Sequence, residues 1–155
     1  MFEHSELERQ LHNLLRLGTV AKVDHSKRLI KVQTGELLTG WLDWPTETGR
    51  NYRRWRPLRL NSQVLIACPS GDPAQAQIIG MLYSNAAPAP SDDPELDLVE
   101  FDDGSKVEYH IGNKQMKVYS AGDISLHSAG HLYLRADKDV WIDGQNLHVF
   151  EGGKV

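Results

Sequence analysis

Between Gly122 and Asp143 the sequence GDISLHSAGHLYLRADKDVWID carries one short apolar–x–apolar unit three times, at a step of eight residues. The units are Ile124-Ser125-Leu126, Leu132-Tyr133-Leu134 and Val140-Trp141-Ile142. One step back adds Met116/Val118, and Leu147/Val149 follows the series one residue early. Small or turn-forming residues separate the pairs: Ser120-Ala121-Gly122, Ser128-Ala129-Gly130, Arg135-Ala136-Asp137 and Asp143-Gly144. In an extended strand, residues i and i+2 share a face. Each unit therefore predicts a very short strand with two inward side chains, followed by a bend.

Such a rung is too small to fold on itself. Two buried side chains contribute about 1.5–3 kcal/mol each, whereas each ordered backbone residue of the rung costs about 1–2 kcal/mol. A single-chain β-helix builds all its walls from one chain and uses longer rungs, and eight residues suffice for one wall. Three chains wound around a common axis, one per wall of a triangular prism, give every short strand a neighbour. The trimer core is then Met116, Val118, Ile124, Leu126, Leu132, Leu134, Val140, Ile142, Leu147 and Val149. Lys117, Ser125, His127, His131, Arg135, Lys138 and Asp139 point outward, with Tyr119, Tyr133 and Trp141 among them. The alternative is a hairpin meander inside an ordinary domain. Regular spacing and the lack of tight hairpin turns argue against it.

Upstream of the repeat the pattern changes twice. Leu7, Leu11, Leu14 and Leu15 fall at helical spacing, predicting an amphipathic helix over residues 3–17. Ser5 and Glu8 form its capping box and Gly18 its stop. That helix packs either on its own domain or on a partner. From Gly18 onward the period is two: GTVAKVD (18–24), RLIKVQT (28–34), LLTGWLDW (37–44), QVLIACPS (63–70) and QAQIIGMLYS (75–84) predict strands. Five strands in so short a span suggest the five-stranded Greek-key barrel known as the OB-fold. NAAPAPSDDPE (85–95) reads as an extended linker. LDLVEFDDGSKVEYHI (96–111) reads as a hairpin, with Val99 and Phe101 facing Val107 and Tyr109. The expected division is a helix (1–17), a barrel (18–84), a linker (85–95), then hairpin and trimeric β-helix (96–155).

Charge follows the same division. Residues 1–84 hold 11 Lys+Arg against 8 Asp+Glu, and residues 85–155 hold 6 against 13. The N-terminal part is thus +3 and the C-terminal part −7, within a total of −4. The basic character concentrates in RNYRRWRPLR (50–59), which has five arginines with Tyr52 and Trp55. Three readings are open: a solvated loop with Trp55 tucked against the barrel, a stacking site for single-stranded nucleic acid, or an anchor into a partner surface. The single cysteine, Cys68, excludes an intrachain disulfide framework and a cysteine-based zinc site. MFEHSELERQ is polar and acidic, unlike a secretory signal, so a cytosolic place of synthesis is expected. There is no Gly-x-Ser-x-Gly, no His-Glu-x-x-His and no phosphate-binding glycine loop, and no enzyme activity is expected.

LGTVAKVD (17–24), VQTGELLTGWLDW (32–44), RRWRP (53–57) and QVLIACPSGDPAQAQIIGMLYS (63–84) resemble the phage baseplate assembly protein V family, the central spikes of contractile tails. R-type bacteriocin spikes and type VI secretion valine-glycine repeat proteins share that architecture. The resemblance implies a mainly β homotrimer: an N-terminal helix and OB-fold barrel seated on the tail hub, then a C-terminal triple-stranded intertwined β-helix. It implies a baseplate location in a virion or bacteriocin tail and a mechanical role in piercing the host outer membrane. It also turns Arg50, Arg53, Arg54, Trp55, Arg56 and Arg59 toward the hub, so no nucleic-acid partner is expected. In the family, a His-x-His motif from three chains often binds iron at the apex. No His-x-His occurs here, His127 and His131 are out of phase with the inward pairs, and His148 alternates with Leu147 and Val149. No cofactor is expected. The open apolar end after Val149 makes a separate tip protein a further expected partner.

Overall fold

The computed structural model describes residues 2–149, with side chains from residue 7 onward. The N-terminal helix α1 spans Phe2–Asn13, and strand β1 (Leu15–Asp24) begins two residues later. The helix is therefore shorter than its leucine spacing predicts, and Leu15 is a strand residue. The cause is pairing: Leu15 through Thr19 oppose Ala67 through Gln63, and the Leu14 carbonyl accepts the Cys68 N–H at 2.7 Å. Ladder bonds outweigh a weak helical preference. Ser5 accordingly lies inside the helix rather than ahead of it. Gly18 is not a helix stop but a strand residue under close approach. A Cβ there would sit 2.9 Å from the Gln33 carbonyl oxygen and closer still to Val32 Cγ1.

The helix rests on the turn Pro69–Gly71. Gly71 has φ of +70°, and a Cβ there would lie 3.1 Å from Gln10 Cα, so only glycine fits on two independent counts. Because the contact is made through backbone, Leu7 and Leu11 stay 53% and 59% exposed.

The barrel is built from β1, β2 (Leu29–Thr34), β3 (Leu37–Leu38), β4 (Leu42–Asp43), β7 (Gln63–Ala67) and β8 (Gln77–Leu82). Sheet order is β3-β2-β1-β7-β8, with β4 also paired to β2. Strand β1 serves both halves: Thr19 opposes Gln63 on β7 and Gln33 on β2. Contact between β4 and β8 brings the two ends of the sheet together, which gives an OB-like barrel. Alternation along β2 and β7 puts Ile30, Val32, Val64 and Ile66 inside with Val20, Leu42, Cys68 and Ala76. Burial pushes the Cys68 thiol above its ordinary range. The expected third strand is broken in two. Thr39 joins the pieces: its hydroxyl accepts the Val32 N–H at 3.0 Å and donates to the Gly40 carbonyl at 2.8 Å. Between β4 and β7 a short hairpin, β5 (Glu47–Thr48) and β6 (Arg53–Arg54), carries the basic segment.

A second antiparallel sheet is ordered β11-β10-β9, from β9 (Leu96–Glu100), β10 (Lys106–His110) and β11 (Gln115–Tyr119). Val107 opposes Val99, one of the residues expected to face it, whereas Tyr109 opposes Asp97 and Phe101 joins no pair of the ladder. Phe101 belongs to the turn, where its N–H donates to the Ser105 carbonyl at 2.8 Å and Gly104 takes φ of +84°. Met116 and Val118, the first pair of the repeat, lie in β11 opposite Tyr109 and Val107. Beyond Tyr119, none of the described residues joins a strand ladder within the chain.

The close approach at Gly18 makes a direct test. Gly18→Ala should lower stability by about 1–3 kcal/mol through overpacking, read as a lower urea midpoint with an unchanged slope. Gly80→Ala on the same sheet, where the nearest atom is 3.9 Å from the new Cβ, should shift the midpoint far less.

Candidate docking and assembly surfaces

The basic segment folds back on the barrel through two tryptophans. Trp44 follows β4, and its indole N–H donates to the Arg56 carbonyl at 3.2 Å. Trp55 stacks on Trp44 with centroids 5.0 Å apart and an interplanar angle of 21°. His25 also meets the Trp44 ring, tilted by 53° with centroids 5.5 Å apart. The hairpin tip is tight: the Gly49 N–H donates to the Tyr52 carbonyl at 3.0 Å, and that carbonyl also accepts the Thr48 hydroxyl at 3.4 Å. One carboxylate, Glu47, serves two guanidinium groups, Arg54 at 3.3 Å and Arg56. Arg59 reaches Asp102 in the turn between β9 and β10. Arg50 and Arg53 pair with no carboxylate among the described residues. Of the six sequence-derived docking residues, the structure thus gathers Arg54, Trp55 and Arg56 around Glu47 and Trp44. It leaves Arg50 and Arg53 on the outer hairpin and ties Arg59 to the second sheet.

The repeat is legible as geometry as well as sequence. Past β11 the chain bends at residues 121–122, 129–130, 137–138 and 145, a step of eight each time. The first two bends share one hydrogen-bond pattern. Ser120 Oγ accepts the Gly122 N–H at 3.2 Å and donates to the Asp123 carbonyl at 3.3 Å. Ser128 repeats both bonds, to Gly130 and His131, at the same distances. The elbows therefore form from local sequence without a partner chain. The apolar pairs do not bury themselves: all ten sequence-derived core residues, Met116 to Val149, are at least 53% exposed. On the second sheet the same inversion holds. Val99, Val107, Tyr109, Met116 and Val118 are exposed, while the opposite face holds Glu108 between Lys106 at 2.9 Å and Lys117 at 3.4 Å.

Three carboxyls are held below their ordinary range. The Lys27 N–H and Ser26 hydroxyl act on Asp24, and the Ser105 N–H acts on Asp103. The Lys106 ammonium, then Lys117, act on Glu108. The Glu108 carboxylate in turn raises Lys106. No group of three His, Cys, Asp or Glu among the described residues is placed to hold a metal ion. Nor is any described helix long and apolar enough to cross a membrane.

The family described as the Type VI secretion system/phage-baseplate injector OB domain matches residues 16–83. Those residues belong to that family. The injector OB domain thus coincides with the barrel of β1–β8, and the resemblance to the phage baseplate V family is borne out. Similarity extends past the barrel: the chain is 30% identical over 125 residues to the spike protein of Escherichia phage P2, covering 81% of this chain. That alignment spans 59% of the relative's length.

Sequence reasoning found the arginines of the injector OB domain but missed Trp44, His25 and Glu47, the residues that organise them. Trp44 reads in sequence as the last apolar residue of a strand. Nothing in the spacing reveals that it lies under Trp55, eleven residues on.

The depressed carboxyls fix the sign of the acid response. Each is more acidic folded than unfolded, so its contribution is present above the ordinary carboxylate range and is lost as pH falls through its lowered value. Thermal stability should therefore fall on acidification below about pH 4. Glu108→Gln should lower stability at neutral pH and flatten that acid limb, read as melting temperature against pH.

Proposed function

We propose that this chain is the central spike of a contractile-tail baseplate: a homotrimer that docks on the tail hub and pierces the host outer membrane mechanically. One observation carries the reading. Residues 116–149 combine evenly spaced bends, the first two held by local hydrogen bonds, with apolar pairs that none of the described residues covers. A second copy has the same period by construction and matches it at every step. Three copies close the prism and leave few strand edges unpaired. The phage P2 relative is named a spike protein, which supports the reading.

In this arrangement Met116, Val118, Ile124, Leu126, Leu132, Leu134, Val140, Ile142, Leu147 and Val149 are the trimer core. Arg50, Arg53, Arg54, Trp55, Arg56 and Arg59 face the hub, and the exposed leucines of α1 offer a second docking face. A tip protein caps the far end. The chain works through stiffness and symmetry, without catalysis or cofactor, in the baseplate of a virion or bacteriocin tail. A second reading, an OB-fold binder of single-stranded nucleic acid with an oligomerising tail, draws on the exposed Trp55 beside five arginines.

Light scattering on the full chain decides the first point. A trimer at micromolar concentration is expected, and a monomer or dimer overturns the assembly. Leu134→Asp places three carboxylates on one level of the axis, and like charges buried together should prevent or strongly destabilise the trimer. Normal assembly of that variant refutes the assigned inward face. Salt-sensitive binding of single-stranded DNA tighter than about 1 µM, measured by anisotropy, favours the second reading instead.

A further inference from the structure

Strand β8 is the last strand in its sheet, and its outer edge has no ladder partner among the described residues. The strand forms one wall of a cleft of about 750 Å³ whose other wall is the β5–β6 hairpin. Ile78 through Met81 line the strand side, and Trp44, Trp55 and Leu58 supply the apolar floor. A bulge disturbs β8 here: Gly80 opposes Leu65 and Ile78 opposes Ile66, so Ile79 is the extra residue, and it is 55% exposed.

We propose that this cleft accepts an extended peptide segment of a partner protein as an added strand on β8, with apolar and acidic residues alternating along it. Two independent features set that chemistry. On either side of the bulge at Ile79 the open edge presents backbone donors and acceptors at strand spacing, which another polypeptide strand matches and a nucleic acid does not. The charges lining the cleft are Lys27, Arg28, Arg54 and Arg56 against Asp43 and Glu47, four cations to two carboxylates, an excess of two. Alternate residues of an added strand point to opposite sides. Apolar side chains then meet the tryptophan floor while carboxylates meet Arg54 and Arg56.

Glu47 occupies that position in the free protein, since it holds both Arg54 and Arg56. An incoming carboxylate competes with it for the two guanidinium groups. Glu47 therefore acts as an internal stand-in for the partner's acid and sets a threshold against weakly acidic peptides. This deepens the docking role proposed for residues 50–59 and rests on that reading only for the hub as the partner.

The test is a titration of the full chain with a fluorescein-labelled decapeptide of alternating valine and glutamate, followed by anisotropy. Saturable binding is expected, absent for the matching valine–lysine peptide. Arg54→Glu with Arg56→Glu should weaken it at least about tenfold, whereas Glu47→Gln should tighten it several-fold. Near-ultraviolet circular dichroism of the Trp44–Trp55 stack verifies that each variant is folded. No saturation up to about 1 mM, equal binding of the lysine peptide, tighter binding of oligothymidylate, or weakening by Glu47→Gln overturns the proposal. Incorporation of the same arginine variant into tail particles separates the two claims. Lost incorporation with no peptide binding refutes the added strand and leaves the docking segment standing. Normal incorporation with arginine-dependent peptide binding refutes hub docking through residues 50–59 and leaves the cleft.

Discussion

Two apolar side chains in every eight residues leave the C-terminal part of the chain with an unmet demand. Each pair is too small to offset the ordering of its own rung, and the chain bends away before a second layer can cover it. The elbows at residues 121–122 and 129–130 are already built by Ser120 and Ser128, so the path is settled locally while the packing is not. The proposed assembly meets that demand with neighbours of the same period. The exposed face of Val99, Val107 and Val118 extends the same condition upstream into a sheet whose strands do pair within one chain.

The barrel meets the opposite condition. Its core is closed within the chain because β1 is long enough to pair with β7 over one half and β2 over the other. Gly18 allows that strand to pass closely over Val32 and Gln33, and Thr39 completes the ladder where the third strand breaks. The barrel is thus a finished platform, and its exposed features are additions to it: the helix seated on Gly71, and the basic hairpin pinned by Trp44. Arg59 and Asp102 link platform and second sheet through exposed side chains, an ion pair of small energetic weight.

Legibility in the sequence followed the range of the interactions involved. Val20, Ile30, Val32, Val64 and Ile66 were readable as core because period-two alternation is a local signal. The bends of the repeat were readable because serine, glycine and aspartate act on their own neighbours. The helix end is not legible in sequence because Leu14 and Leu15 satisfy helical spacing, and only the distant strand at residues 63–67 draws Leu15 into a ladder. Phe101 continues the apolar alternation of β9 in sequence, and only the position of the turn at Gly104 takes it out of the ladder. Trp44 and Glu47 were passed over because stacking and charge sharing across the hairpin depend on how it folds back.

By itself, the sequence determined the period of the C-terminal repeat, the locations of its first two elbows, the alternation of the barrel strands and the basic character of residues 50–59. All of these are set within about ten residues, where covalent spacing and side-chain chemistry suffice. Only the tertiary structure decided that Gly18 is a contact point, that Trp55 lies on Trp44, that Glu47 holds two arginines, and that β8 is left with an open edge beside them. Those facts depend on which distant strands become neighbours. That choice is made by the closing of the barrel core, and no local stretch of sequence contains it.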